Sequence, residues 1–249
     1  MENNKLHKFG LIGKDIDYSF SRNYFAEKFK RENHLNHQYD NYDCATLAEV
    51  FSTIERNDLA GLNVTIPYKE KVLEAMDSLS PQAKGIGAVN TILFRENGYR
   101  EGHNTDAYGF ERALFDHWTP NTQKALILGT GGASKAVRYV LEKHNIQAQY
   151  VSRTAGENIL RYDQLTPTVL QAHLLLINCT PLGTFPKTEE APEIDYSQLT
   201  EKHFLFDLIY NPAETKFMEL GKKHGAKAAN GSQMLIHQAE QAWELWNAR

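Results

Sequence analysis

Short apolar runs alternate with amphipathic segments along almost the whole chain. Residues 8–13 (KFGLIG) have the length and character of a strand, and residues 21–32 carry Phe25 and Phe29 on one helical face. The pattern continues with a helix over 47–56 and a strand over 62–66. Pro67 cannot donate to a ladder, so it stops that strand and suits the first turn of a following helix. Residues 88–94 and 98–102 flank Asn97-Gly98, the signature of a type I′ hairpin. A helix over 107–118 precedes a buried-type strand at 124–129, a helix at 133–144 and a strand at 148–152. Further apolar strands follow at 174–179 and 204–210. A helix over 215–225 ends on Gly225 as its C-cap, and a long one-sided helix covers 232–246.

Strand and helix in alternation predict an α/β protein with mostly parallel sheets. A chain of 249 residues makes one or two domains. The helix at 107–118 precedes the glycine-rich turn, which puts a boundary near 105, and a second boundary falls before the last helix. The expected division is 1–105 with 233–249 in one domain and 106–232 in the other. Net charge is −4, from 27 Lys and Arg against 31 Asp and Glu, so the chain lacks the diffuse positive field of a nucleic-acid binder. Two cysteines exclude a disulfide framework and a cysteine-rich zinc site, and the ten histidines show no HExxH-type spacing, so no metal is expected. The opening MENNKLHKFG has no apolar signal region, and no apolar run approaches membrane-spanning length; a cytoplasmic protein is expected.

Candidate chemistry concentrates in two places. LILGTGGASKAV sets Gly129, Gly131 and Gly132 between a strand and a helix, where glycines allow a tight turn and helix N–H groups meet a phosphate. Ser134 occupies the third position of a GxGxxG pattern; Gly129, Gly131, Gly132, Ala133 and Ser134 are the candidate dinucleotide cradle, against the plain reading of an ordinary strand-to-helix turn. The next strand ends VSRT. An acid there would bind a ribose 2′-hydroxyl; Ser152, Arg153 and Thr154 instead suit a 2′-phosphate, so NADP(H) is the expected cofactor.

The second concentration is in the first domain, where GLIGKDIDYSFS carries Ser19 and Ser21, GLNVTIPYK carries Asn63, Thr65 and Lys69, GAVNT carries Asn90 and Thr91, and GHNTD carries Asn104 and Asp106. Taken singly each has a bland reading: Ser21, Thr105 or Asp106 as helix caps, Lys69 as a solvated lysine, Asn90 as a partner to a loop backbone.

These segments, with INCTPLG, DLIYNP and NGSQMLIHQA, follow one another in an order that resembles the shikimate dehydrogenases over nearly the whole length. The resemblance implies two α/β domains, an N-terminal substrate domain and a Rossmann-like NADP-binding domain with a cleft between them, and the NADPH-dependent reduction of 3-dehydroshikimate to shikimate. It further implies that Lys69 and Asp106 are the catalytic pair, that Ser19 and Ser21 hold the substrate carboxylate, and that Asn63, Thr65, Asn90, Asn104, Tyr210 and Gln238 contact the substrate. The expected partner is this small molecule, with no nucleic acid and no membrane; a homodimer is compatible with it. A broader quinate/shikimate dehydrogenase and a non-catalytic nucleotide-binding regulator on the same fold are the alternatives. The missing acid before Arg153 argues against the first, and retention of both Lys69 and Asp106 against the second. The chain departs from the family pattern at Tyr18 (usually His), Arg22 (usually Pro), Gly231-Ser232-Gln233 (often Gly-Leu-Gly) and Glu157, where a second basic residue often stands.

Overall fold

The computed structural model describes residues 6–248 apart from Tyr18, Asn57 and Ala155, so the unusual Tyr18 lies outside the described residues. Contacts divide the chain into two units, Met1–Thr105 with Ala239–Arg249, and Asp106–Gln238.

The first unit opens with β1 (His7–Gly13), α1 (Phe20–Arg31), β2 (His37–Asp43), α2 (Leu47–Ile54) and β3 (Leu59–Val64). It continues with β4 (Ser78–Leu79), α3 (Pro81–Ile86), β5 (Thr91–Phe94) and β6 (Arg100–His103). The strand order is β2-β1-β3-β5-β6-β4. β1 runs parallel to β2 and β3, and β5 runs antiparallel to β3 and β6. The period of two along β1 sends Phe9 and Leu11 to one face, with Phe25, Phe29 and Tyr39, and Ile12 to the other, with Val50, Ile54, Leu62 and Ile92. The helices start where side chains satisfy the first N–H groups: Ser19 caps α1, and Thr46 with Glu49 forms a capping box on α2.

Two local expectations are corrected here. Pro67 ends the run after β3 but opens no α-helix; turns lead to a single 3₁₀ stretch, Lys71–Ala75. Asn97-Gly98 is not a two-residue hairpin turn. β5 and β6 pair out to Phe94 and Arg100, and the connection is closed by the Arg95 N–H bond to the Tyr99 carbonyl at 2.8 Å around a 3₁₀ turn, Glu96–Gly98.

The second unit contains α4 (Thr105–His117, from Asp106 onward), β7 (Lys124–Leu128), α5 (Gly132–Lys143), β8 (Gln147–Ser152) and β9 (Ile159–Arg161). Next come α6 (Pro167–Ala172), β10 (Leu175–Asn178), β11 (Phe204–Asp207), α7 (Lys216–Lys223) and β12 (Lys227–Ala229). The sheet is wholly parallel in the order β12-β11-β10-β7-β8-β9. Its central strands are covered on both faces, which is why they read as continuous apolar runs. The winding reverses between β7 and β10, and ligands of open α/β sheets sit at the carboxyl ends of strands at such a point. α7 stops as expected: Gly225 adopts φ +91, its N–H bonds to the Lys222 carbonyl, and the Ala226 N–H reaches the Gly221 carbonyl.

The last helix, α8 (Ser232–Asn247), contributes to both units. The expected break at 233 falls instead after Gln238, because the first turns of α8 pack within the second unit. There a Cβ on Gly109 of α4 would stand 2.5 Å from the Met234 carbonyl oxygen and 2.9 Å from Gln238 Cβ. From Ala239 onward, α8 completes the aromatic core of the first unit. The Trp243 and Trp246 rings lie 5.6 and 5.0 Å from Phe9. The buried Lys28 reaches Glu240 at 2.7 Å and Glu32 at 2.9 Å.

Candidate active site

The polar residues of the first unit gather at one end of its sheet because β1 and β3 finish there, β5 begins there and β6 ends there. Ser19 is the N-cap of α1: its Oγ accepts from the Ser21 N–H at 3.2 Å, so the capping role expected of Ser21 belongs to Ser19. Ser21 lies buried in the first turn. Asn63, near the end of β3, sits in register between Leu11 and Thr91. Its Nδ2 donates to the Asn90 carbonyl at 3.2 Å and to Thr91 Oγ1 at 3.1 Å, and its Oδ1 accepts from the Tyr39 hydroxyl at 2.8 Å. Asn90 Oδ1 accepts the Thr105 N–H at 2.6 Å, and Asn104 Nδ2 donates to the Ala88 carbonyl at 3.0 Å. Thr65 and Lys69 follow β3. The Thr65 N–H bonds to the Ile12 carbonyl at 2.8 Å, and the Lys69 carbonyl accepts the Val89 N–H at 2.8 Å. These backbone bonds pin the turn that carries Lys69 to two neighbouring segments. Asp106, buried, belongs to the second unit and is the residue after Thr105, in the first turn of α4.

Three members of this network are not among the expected substrate contacts: Thr91 and Thr105 stand in the motifs already noted, and Tyr39 stands in none. Tyr39 is the one buried residue of β2, whose sequence HQYDNYD is otherwise polar. An aromatic inside such a polar tract is the signal that could have found it, although Tyr42 carries the same signal without being buried. Burial holds its hydroxyl far above the usual phenol range, opposed weakly by the Ser21 hydroxyl facing it.

In the second unit, the turn after β7 has the cradle geometry. Gly129 takes φ +104, and a Cβ there would press on Thr180 and Cys179 at 3.0–3.2 Å. Gly131, the N-cap of α5, makes no side-chain cap, and nothing lies within 4 Å of where its Cβ would be. The turn thus leaves backbone N–H groups and open space at a helix N-terminus, which fits a phosphate. Ser134 is fully buried, and its hydroxyl donates to the Gly131 carbonyl at 2.6 Å, tying the turn together from inside. At the end of β8, Ser152 Oγ accepts the Thr154 N–H at 3.3 Å, while Arg153 and Thr154 are exposed.

Behind this turn lies a buried set of polar residues that the expected site set lacks. Asp207, at the end of β11, accepts from Asn178 at 3.0 Å, from the Ile209 N–H at 3.0 Å and from the Thr215 hydroxyl at 2.6 Å. Asn178 Oδ1 in turn accepts from the Thr180 N–H and hydroxyl. Burial pushes the Asp207 carboxyl up to about 6 against those three donors. Tyr210 stands on the loop that Asp207 anchors. Gln238, on α8, donates to the Leu235 carbonyl at 3.0 Å. Cys179 is half-buried, and desolvation pushes its thiol well above the ordinary range, which disfavours the reactive thiolate.

Residues 11–92 match the family described as the shikimate dehydrogenase substrate binding domain. The shikimate dehydrogenase (NADP(+)) of Desulforamulus reducens is 34% identical, over 98% of this chain and 91% of that protein. Among solved structures, shikimate 5-dehydrogenase from Thermus thermophilus, in complex with NADP(H) and shikimate, superposes with a TM-score of 0.85 at 30% identity, over 97% of this chain and 94% of that one. Quinate dehydrogenase from Corynebacterium glutamicum in complex with NAD has the same TM-score of 0.85 at 28% identity, over 97% and 94% of the two chains.

Proposed function

The chain belongs to the shikimate dehydrogenase family, and from that premise we propose that Lys69 and Asp106 handle the proton of its reaction while the polar network of the first unit holds the substrate. The reaction is the reversible, NADPH-dependent reduction of 3-dehydroshikimate to shikimate, a step of aromatic amino-acid biosynthesis. NADPH supplies the hydride when bound. The Lys69 ammonium gives a proton to the ketone oxygen on the ring as it becomes a hydroxyl, and in the oxidative direction the neutral amine takes that proton back. Asp106 orients that ammonium. Ser19 and Ser21 donate to the substrate carboxylate, and Asn63, Thr65, Asn90, Asn104, Tyr210 and Gln238 meet the ring hydroxyls, each of which needs a partner once water is excluded. Gly129, Gly131, Gly132, Ala133 and Ser134 form the turn that receives the pyrophosphate, and Ser152, Arg153 and Thr154 receive the 2′-phosphate. A cytoplasmic address and a homodimeric assembly go with this reading.

The observation that carries the residue assignment is the pinned turn at Lys69, whose carbonyl is bonded to Val89, next to the buried Asn63–Asn90–Thr105 network that leads directly into Asp106. The test is oxidation of shikimate with NADP⁺, followed at the reduced-nicotinamide band. Lys69→Ala is expected to lower turnover by roughly 10²–10⁴-fold with little change in the KM for shikimate. Near-normal turnover removes the pair from the mechanism. Faster oxidation of quinate with NAD⁺ would favour the broader quinate dehydrogenase instead.

A further inference from the structure

We propose that Tyr39 is a positioning residue for the substrate site: its hydroxyl fixes the Asn63 amide so that Asn63 meets the substrate only as a hydrogen-bond acceptor. The inference rests on the reading of Asn63 as a substrate contact. The amide orientation follows from its neighbours. The Asn90 carbonyl can only accept, so the atom 3.2 Å from it is Nδ2. The second Nδ2 hydrogen goes to Thr91 Oγ1 at 3.1 Å. Oδ1 therefore faces the Tyr39 hydroxyl, and at 2.8 Å the phenol must donate to it. Both donors of Asn63 are used and one of its two acceptor positions is filled. What remains for a ligand is the second lone pair of Oδ1, which accepts a hydrogen from a substrate hydroxyl and offers nothing to a carbonyl.

Tyr39 is well placed to hold this arrangement. It is buried, and its ring is stacked on Phe25 at 4.5 Å, which fixes where the hydroxyl lies. Without the phenol, Oδ1 has no internal donor, and the amide gains freedom to tilt towards solvent or substrate at the expense of the Asn90 bond. Burial also keeps the proton on the phenol, so its role as donor does not change over the working pH range.

The experiment compares Tyr39→Phe, Asn63→Ala and the double variant, with separate KM values for shikimate and NADP⁺. Phenylalanine keeps the stacked ring and removes only the hydroxyl. Tyr39→Phe is expected to raise the KM for shikimate roughly tenfold, as loss of one buried hydrogen-bond partner does, and to leave the KM for NADP⁺ unchanged. The double variant is expected to be no worse than Asn63→Ala, because Tyr39 acts through Asn63. A KM does not depend on the folded fraction of a preparation, so a merely structural role would lower apparent turnover and melting temperature without this selective shift. If Asn63→Ala raises the KM for shikimate and Tyr39→Phe does not, or if the two losses multiply, the positioning role is overturned and the substrate reading stands. If Asn63→Ala itself leaves the KM unchanged, the reading of Asn63 fails and the proposal falls with it.

Discussion

Replacing Arg153 with alanine is the sharpest test of cofactor choice. The guanidinium stands immediately after β8, exposed, and makes no ion pair among the described residues, so nothing in the protein compensates for its removal. Fold stability should hardly change, and the whole effect should fall on the ligand. A guanidinium about 4 Å from a phosphate gains roughly 1 kcal/mol per unit of phosphate charge at the dielectric of water. A phosphate carries about 1.5–2 negative charges near neutral pH. Salt screening trims the product, while two parallel charge-assisted hydrogen bonds add to it. Exposure to solvent keeps the sum at the lower end of the roughly 1.5–3 kcal/mol typical of bonds to charged groups, so about 1.5–2 kcal/mol. That corresponds to a loss of roughly 10- to 30-fold in kcat/KM for NADPH, with the value for NADH unaltered. The assay is initial-rate kinetics with both cofactors at low and high ionic strength; the parent's NADPH advantage should shrink as salt rises. An unchanged NADPH/NADH ratio in the variant would show that Arg153 is only a surface residue and refute the reasoning from the end of β8.

Replacing both Ser19 and Ser21 with alanine should weaken shikimate binding by about 1.5–3 kcal/mol for each bond lost to the carboxylate, but spare an analogue without that group. Equal losses for both ligands would mark the serines as structural; Ser19→Ala should in any case cost about 1 kcal/mol of stability, since Ser19 is a helix cap. Asp207 gives a pH signature. Its folded-state value of about 6 lies above the ordinary 3.8, so the folded protein prefers the protonated form. That contribution is fully present below about pH 4 and lost as pH rises through 6, by up to about 3 kcal/mol. Urea unfolding of the parent and Asp207→Asn from pH 4 to 7 should show the stability difference moving against the parent over that window, and a flat difference would contradict the burial argument.

The central strands of the second unit were legible because a parallel sheet buried on both faces leaves continuous apolar runs, KALIL and LLIN among them. β2 was not, because HQYDNYD is a polar edge strand with one buried residue, and its place depends on pairing with β1. The short elements β4, β9, β12 and α3 carry too few residues to show a period. Site legibility divides the same way. Lys69, Asp106 and the asparagines, bland when taken singly, became candidates through the order of the motifs that carry them, whereas Tyr39 is linked to Asn63 through a hydrogen bond across 24 positions of sequence. Asp207 did carry a signal, an acid inside the apolar run FLFDLIY. Its meaning needed the three donors that come from Asn178, Ile209 and Thr215.

The aromatic core of the first unit has a consequence for the order of events on the ribosome. Residues 106–238 form one unit from a single uninterrupted stretch, so everything they pack against within that unit is made together. Phe9, Phe25 and Phe29 are made before the second unit, yet part of what covers them, Ala239 and Trp243, is synthesised only after that unit is complete. The usual sequence in which the N-terminal domain matures first is therefore inverted. Through most of translation, this patch of three phenylalanines stays uncovered on that side. A ribosome stalled before residue 239 would display a nearly finished cofactor domain behind a sticky, half-built one, a natural client for holdase chaperones.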